Sequence, residues 1–159
     1  MVVESVSRGA EVPLSRWHVL CVAACFFAAV PVPGPVIAAE AAWTHQAVSQ
    51  GIVHPGRETI TRIQVPVSAQ GQVSGGRVTR VHVQVDYPAA AFMQTQACWA
   101  GTGYCVAVHG HRLDTQAFKG QNARGPLLIV HTLLGNRPLP APVFVKSTAI
   151  VWYEPHAAH

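Results

Sequence analysis

Acidic side chains are scarce in this sequence, and charged residues of any kind are few. Aspartate and glutamate together number 7 in 159 residues, and charged residues make up 11% of the chain. Beyond residue 41 the carboxylates are Glu58, Asp86, Asp114 and Glu154, which share no regular spacing. The sequence therefore gives no support for acid/base hydrolysis by a pair of carboxylates.

The motifs of nucleophilic and phosphate chemistry are missing as well. None of the serines Ser49, Ser68, Ser74 and Ser147 stands in a G-x-S-x-G or S-x-x-K context. No glycine-rich loop precedes a helical pattern, as phosphate binding would require. We therefore expect a protein that is not an enzyme and that carries no cofactor.

The N-terminal region has the pattern of a secretory signal peptide. Residues 17–37 contain no charged side chain, and two arginines precede them. Three prolines interrupt the end of this stretch, so the continuous apolar run is shorter than the roughly 20 residues of a membrane span. We predict that residues 1–41 are a signal peptide cleaved after Ala41, with cleavage after Ala38 or Ala39 as alternatives.

The expected mature chain, residues 42–159, is of the usual size for one domain. It carries nine arginines and lysines against four carboxylates, a net charge of +5. The cations are dispersed and form no basic arm, so we expect no nucleic-acid partner. The charge does favour acidic surfaces, such as an acidic protein face or anionic lipid headgroups, and is compatible with a membrane-proximal location.

Short β-branched runs between frequent turn signals predict an all-β protein. Residues 78–87 alternate between apolar and polar side chains, which is typical of a strand with one buried face. Residues 127–133 are apolar on both faces and predict a central strand. The other predicted strands are 52–53, 59–67, 92–99, 104–109, 143–145 and 148–153. We expect one small antiparallel β-sandwich or partly open barrel of about seven strands, with disorder at residues 43–50 and in the tail 155–159.

The four cysteines divide into two pairs with different fates. Cys21 and Cys25 lie in the leader, where lipidation of Cys25 is disfavoured because the apolar core continues past it. Cys98 and Cys105 stand symmetrically about the turn Ala100-Gly101-Thr102-Gly103, so they would oppose each other on a hairpin. Opposed strand positions approach to roughly 4.5–5.5 Å between Cα atoms, within the range of a disulfide. We predict a structural disulfide; a redox pair would favour a C-x-x-C spacing, and a zinc site would need two further ligands.

Histidines give the only metal signal, and it is weak. His109 and His111 would face the same side of a strand, where they could chelate one ion, but no partner ligand is fixed by the sequence. His131 lies inside an apolar strand, so we interpret it as a hydrogen-bonded core histidine.

The C-terminal third contains four distinctive segments: GPLLIV at 125–130, GNRPLP at 135–140, PVFVKS at 142–147 and IVWY at 150–153. In this order they resemble the end of the FlhE family of periplasmic flagellar proteins. The order of features also fits: a signal peptide, a valine-rich alternating strand at 77–87, the cysteine pair on a hairpin, and then this ending. The resemblance covers roughly residues 48–153.

The resemblance implies a non-enzymatic, periplasmic accessory of flagellum assembly. Such a protein would act as a chaperone or as a plug that limits proton leakage at the flagellar type III export apparatus, with export or rod components as partners. The candidate contact residues are those least explained by a core: Trp99 and Tyr104 at the hairpin tip, and Arg77, Arg80 and Arg137. In the alternative interpretation Trp99 and Tyr104 only stabilise the hairpin as a cross-strand pair. The alternative function is a periplasmic binding or metal-carrier module that uses surface histidines.

Overall fold

The computed structural model describes residues 39–89 and 91–155, so residues 1–38 of the predicted leader and residues 156–159 of the tail lie outside the described part. Eight strands and one short 3-10 helix, Val67–Ala69, make up its regular structure. The strands are β1 (Ala41–Val48), β2 (Glu58–Ile63), β3 (Arg77–Asp86), β4 (Met93–Trp99), β5 (Cys105–Val108), β6 (Arg112–Thr115), β7 (Leu127–Leu133) and β8 (Lys146–Glu154). The predicted all-β class is confirmed. In the described residues, no helix has the length and apolar character needed to cross a membrane.

The strands form two four-stranded antiparallel sheets, which is a sandwich rather than a closed barrel. The first sheet has the order β1-β8-β3-β6, and the second has the order β2-β7-β4-β5. Side chains from the inner faces of both sheets form the core, as expected when two sheets pack face to face. Its largest fully buried members include Trp99, Tyr153, Phe118, Ile63, Leu127 and Ile129.

Alternation places one face of β3 in the core. Val81, Val83 and Val85 are buried, while Arg80, Gln84 and Asp86, which alternate with them on the other face, are exposed. In the second sheet, β7 pairs with β2 on one side and with β4 on the other. The predictions of an alternating strand at 78–87 and a central strand at 127–133 are therefore confirmed.

The prediction of disorder at residues 43–50 is wrong, because this segment contains most of β1. All eight residues of β1 pair with β8 in an unbroken register, from Ala41 opposite Tyr153 to Val48 opposite Lys146. Trp43 is 2% exposed, and its indole N–H donates to the carbonyl of Ala123 at 3.1 Å. The burial of this one large side chain and the pairing with β8 stabilise a segment whose local sequence has little strand character.

The strand predicted at 104–109 ends earlier than expected, at Val108. Gly110 and His111 have positive φ angles of 56° and 69°, and His109 bridges to Arg112 across them. Two successive left-handed residues form the tight turn that suits a two-residue hairpin. This turn leads into β6, a four-residue strand that the sequence analysis missed.

Candidate partner-binding surface

The hairpin of β4 and β5 is closed by the predicted disulfide. Cys98 and Cys105 lie opposite each other in the ladder, and their sulfur atoms are 2.05 Å apart. Beyond them the chain reverses through residues 100–103, where the amides of Thr102 and Gly103 both donate to the carbonyl of Trp99 at 3.1 Å. Gly103 has a φ of +66°, a conformation that glycine adopts without a steric cost. The disulfide and this turn together brace the tip of the hairpin.

Trp99 does not stand at the surface of this tip, which corrects the expectation that it contacts a partner. Its side chain is 1% exposed, and its ring packs against Phe118 with the centroids 5.6 Å apart. Gly125 leaves the space that the indole fills, since a Cβ at this position would lie 2.6 Å from Nε1 of Trp99. Trp99 is therefore a core residue.

Tyr104 is the aromatic residue that the tip presents to solvent. Its side chain is 55% exposed, and its ring meets the edge of Phe118 at 6.2 Å between centroids. The backbone carbonyl of Tyr104 accepts a hydrogen bond from the Trp99 amide at 3.0 Å. The rings of Trp99 and Tyr104 each contact Phe118. Phe118, which the sequence analysis did not single out, thus anchors the β6–β7 connection beneath the hairpin.

Arg77 and Arg80 lie at the same end of the sandwich as the hairpin tip. The guanidinium of Arg77 donates to the carbonyl of Gly120 at 3.2 Å, so it is joined to the β6–β7 connection. The guanidinium of Arg80 stands 4.0 Å from the centroid of the Trp152 ring, a cation–π contact that limits its motion. Both arginines are exposed and are held in defined positions.

We call Tyr104, Arg77, Arg80 and the exposed Lys119 the tip surface. It borders a shallow depression of about 320 Å³, whose lining includes Arg80 and Lys119 as well as Glu40 and Glu154. Side chains of both charge signs therefore line this depression. Such an arrangement favours a polar protein surface over a small apolar ligand.

Arg137 is not brought to the tip surface. It is exposed in the β7–β8 connection, which follows the end of β7 where Leu133 pairs with Met93. The hairpin tip lies at the other end of these strands, where Trp99 pairs with Leu127. Of the five predicted contact residues, three share one exposed end, one is buried, and Arg137 lies at the opposite end.

His109 and His111 do not share a strand face, so the geometry expected for chelation is wrong. His111 is the second left-handed residue of the β5–β6 turn, and its ring stacks on Tyr87 at 4.2 Å between centroids. Its Nδ1 lies 3.2 Å from the carbonyl oxygen of Val85. Across the part of the chain that the structure describes, no group of three or more His, Cys, Asp or Glu residues is placed to hold a metal ion.

His131 is the buried histidine that the sequence predicted, and it connects the two sheets. It is 0% exposed. Its Nδ1 lies 3.1 Å from the hydroxyl oxygen of Thr95 in its own sheet, and its Nε2 lies 3.4 Å from that of Ser147 in the facing sheet. Burial lowers the pKa of His131 from 6.5 to about 4, because the charged ring would lose its hydration. It is neutral near pH 7 and belongs to the core.

Comparison with known proteins identifies the fold. The chain is similar to the crystal structure of FlhE, with 23% identity and a TM-score of 0.59 over 72% of this chain and 97% of that chain. A chain from the capsid asymmetric unit of cyanophage Pam1 is less similar, with 16% identity and a TM-score of 0.44 over 81% of this chain and 95% of that one. No protein-family model matches the chain, and no curated protein does. The protein therefore has an FlhE-like β-sandwich fold.

Proposed function

We propose that this chain is a periplasmic, non-enzymatic accessory protein of flagellum assembly, with the role that its resemblance to FlhE implies. In this role it acts as a chaperone or as a plug that limits proton leakage at the flagellar type III export apparatus. Its partners are components of the export apparatus or the rod.

The observation that carries the proposal is the extent of the fold similarity. It covers 97% of the FlhE chain, so it includes the whole sandwich rather than one shared hairpin. The C-terminal sequence and the order of features, which pointed to the same family, add a second line of support. The Cys98–Cys105 disulfide supports export, because such bonds persist mainly in oxidising compartments such as the periplasm.

The tip surface supports a role that depends on protein contact rather than on catalysis. Tyr104 is an exposed aromatic residue on a hairpin braced by a disulfide, and Arg80 is held over Trp152. Side chains that are ordered before binding lose little conformational entropy when a partner docks, and Tyr and Arg are enriched among the residues that dominate binding energy. A rigid β-sandwich with this surface can cover an opening or shield a segment of a partner.

The proposal is tested by deleting the gene in its own organism and following motility and filament assembly. We expect defective assembly that is restored by the full chain but not by a version lacking residues 1–41, which would remain in the cytoplasm. The double variant Tyr104→Ala/Arg77→Ala should restore poorly, whereas Arg137→Ala at the opposite end should restore fully. A deletion strain with normal motility and normal filaments would contradict the proposal.

A further inference from the structure

The first sheet has a long free edge along β1. Within residues 39–89 and 91–155, β1 pairs only with β8 and ends the strand order of its sheet. The amide of Ser49 donates to the carbonyl of Val145 at 2.9 Å, one step beyond the last pair of the register. Hydrogen-bonded pairs alternate with non-hydrogen-bonded pairs in an antiparallel ladder. The backbone N–H and C=O groups of every second residue, namely Ala42, Thr44, Gln46 and Val48, therefore point away from β8.

This edge lacks the features that usually protect an exposed strand. Natural proteins blunt edges with charge, proline, bulges or short length. Edges β5 and β6 are four residues each, and β2 carries Glu58 and Arg62. In contrast, β1 has eight residues, no charged residue, no proline and no break in register. It is the longest of the four edges, and it carries no charge, a feature that it shares with the four-residue β5.

The edge is held ready for pairing by contacts on its inner side. Trp43 is buried and donates to the carbonyl of Ala123, which fixes β1 against the core. His45 and Ala47 also face inward, yet they are only half-buried. The core is thus incompletely covered along this side, and an added strand would bury these side chains further.

We propose that the free edge of β1 receives an extended segment of a partner protein as an additional β-strand. The segment is uncharged, about as long as β1, and carries apolar side chains at alternate positions, which would cover His45 and Ala47. Main-chain hydrogen bonds to the outward groups supply affinity, and the alternate side chains supply selectivity.

A partner segment fits this edge better than a second folded copy does. Two copies joined edge to edge would meet only along one strand about 27 Å long. A contact confined to one strand is narrow, whereas a stable interface between folded proteins buries roughly 1,200 Å² or more. An extended segment can instead follow the edge and cover the half-buried side chains beside it. The inference does not depend on the flagellar role, because it rests on β1 alone.

The test selects peptides from a displayed library of random 12-residue sequences against the mature protein purified from the periplasm. The selection is repeated with Thr44→Pro, which removes one outward N–H without touching the ladder to β8. The matched control is Thr44→Val, which keeps that N–H and a side chain of similar shape. We expect peptides with alternating β-branched residues that bind wild type and Thr44→Val, and that bind Thr44→Pro at least tenfold more weakly. They should also slow amide hydrogen exchange at Thr44 and Gln46.

Three results would overturn the inference. One is a selection that enriches nothing over the Thr44→Pro background, and another is binding that Thr44→Pro leaves unchanged. The third is a wild-type dimer in sedimentation that Thr44→Pro converts to a monomer, because a second copy would then occupy the edge. If Thr44→Pro does not fold, Gln46→Lys provides the same comparison by placing a charge on the free edge.

Discussion

Protonation of His131 should destabilise the folded protein in acid, and the size of the effect follows from its burial. Its pKa is lowered from 6.5 to about 4 in the folded state. As the pH falls through 6.5 the unfolded chain binds a proton that the folded protein still excludes. The stabilisation by neutral His131 is therefore complete above pH 6.5, decreases between pH 6.5 and 4, and is absent below pH 4. A pKa difference of this size corresponds to about 3 kcal/mol.

The measurement is the free energy of unfolding from urea titrations of the oxidised mature protein at several pH values between 7.5 and 4.5. Wild type is compared with His131→Gln, whose amide can hydrogen-bond to Thr95 but cannot titrate. We expect wild type to lose roughly 2.5 kcal/mol more than His131→Gln over this range. The absolute stability of the variant at pH 7.5 does not affect the result, because the experiment compares how steeply the free energy of unfolding changes with pH in the two proteins.

His82→Gln serves as the matched control for this experiment. Nδ1 of His82 lies 2.9 Å from the carboxylate of Asp114 on the outer face of the first sheet, where polar contacts of this kind contribute little to stability. This variant should keep the steep acid slope of wild type. An equal loss of the free energy of unfolding in wild type and His131→Gln between pH 7.5 and 4.5 would contradict this prediction, because the pH dependence would then come from titratable groups other than His131.

Three further predictions concern the covalent structure and the packing of the hairpin. Cys105→Ser should lower the free energy of unfolding by about 2–3 kcal/mol, because it opens the short disulfide loop. In the exported wild-type protein, alkylation followed by intact mass measurement should find no free thiol. Gly125→Ala should lower the free energy of unfolding by about 1–3 kcal/mol, because its Cβ would collide with the buried indole of Trp99. The control Gly101→Ala, with no atom within 4 Å of its Cβ, should change it by less than about 0.5 kcal/mol. Equal effects of the two variants would contradict this packing. Cleavage after Ala41 remains the predicted site, and cleavage after Ala38 or Ala39 would leave β1 complete. N-terminal sequencing of the exported protein distinguishes these sites, and an intact leader would contradict the prediction.

The parts of the fold that were predictable are those where local pattern and tertiary environment agree. The alternation in β3 matches a strand with one buried face, and the apolar run of β7 matches a central position between two neighbours. The opposed positions of Cys98 and Cys105 around a short turn were sufficient to predict their disulfide. In each case the relevant contacts are local or are implied by the period of the sequence.

The parts that were missed depend on contacts between distant residues. β1 is a strand because it pairs with β8 and because Trp43 is buried, neither of which its own sequence reveals. Trp99 is buried because Gly125 and Phe118 provide space and a packing surface for its ring. The turn at His111 interrupts what looked like a continuous alternating strand, and a non-glycine residue in a left-handed conformation gives little warning in a sequence.

The central proposal, that this chain is a periplasmic accessory of flagellum assembly acting as a chaperone or as a plug that limits proton leakage, is tested most directly by cytoplasmic pH. The measurement follows a pH-sensitive fluorescent protein in wild-type, deletion and complemented cells as flagellar genes are induced. We predict that the cytoplasm of the deletion strain acidifies on induction, and that the full chain restores its pH while the chain without residues 1–41 does not. A deletion strain whose cytoplasmic pH stays at the wild-type value throughout induction would contradict the account.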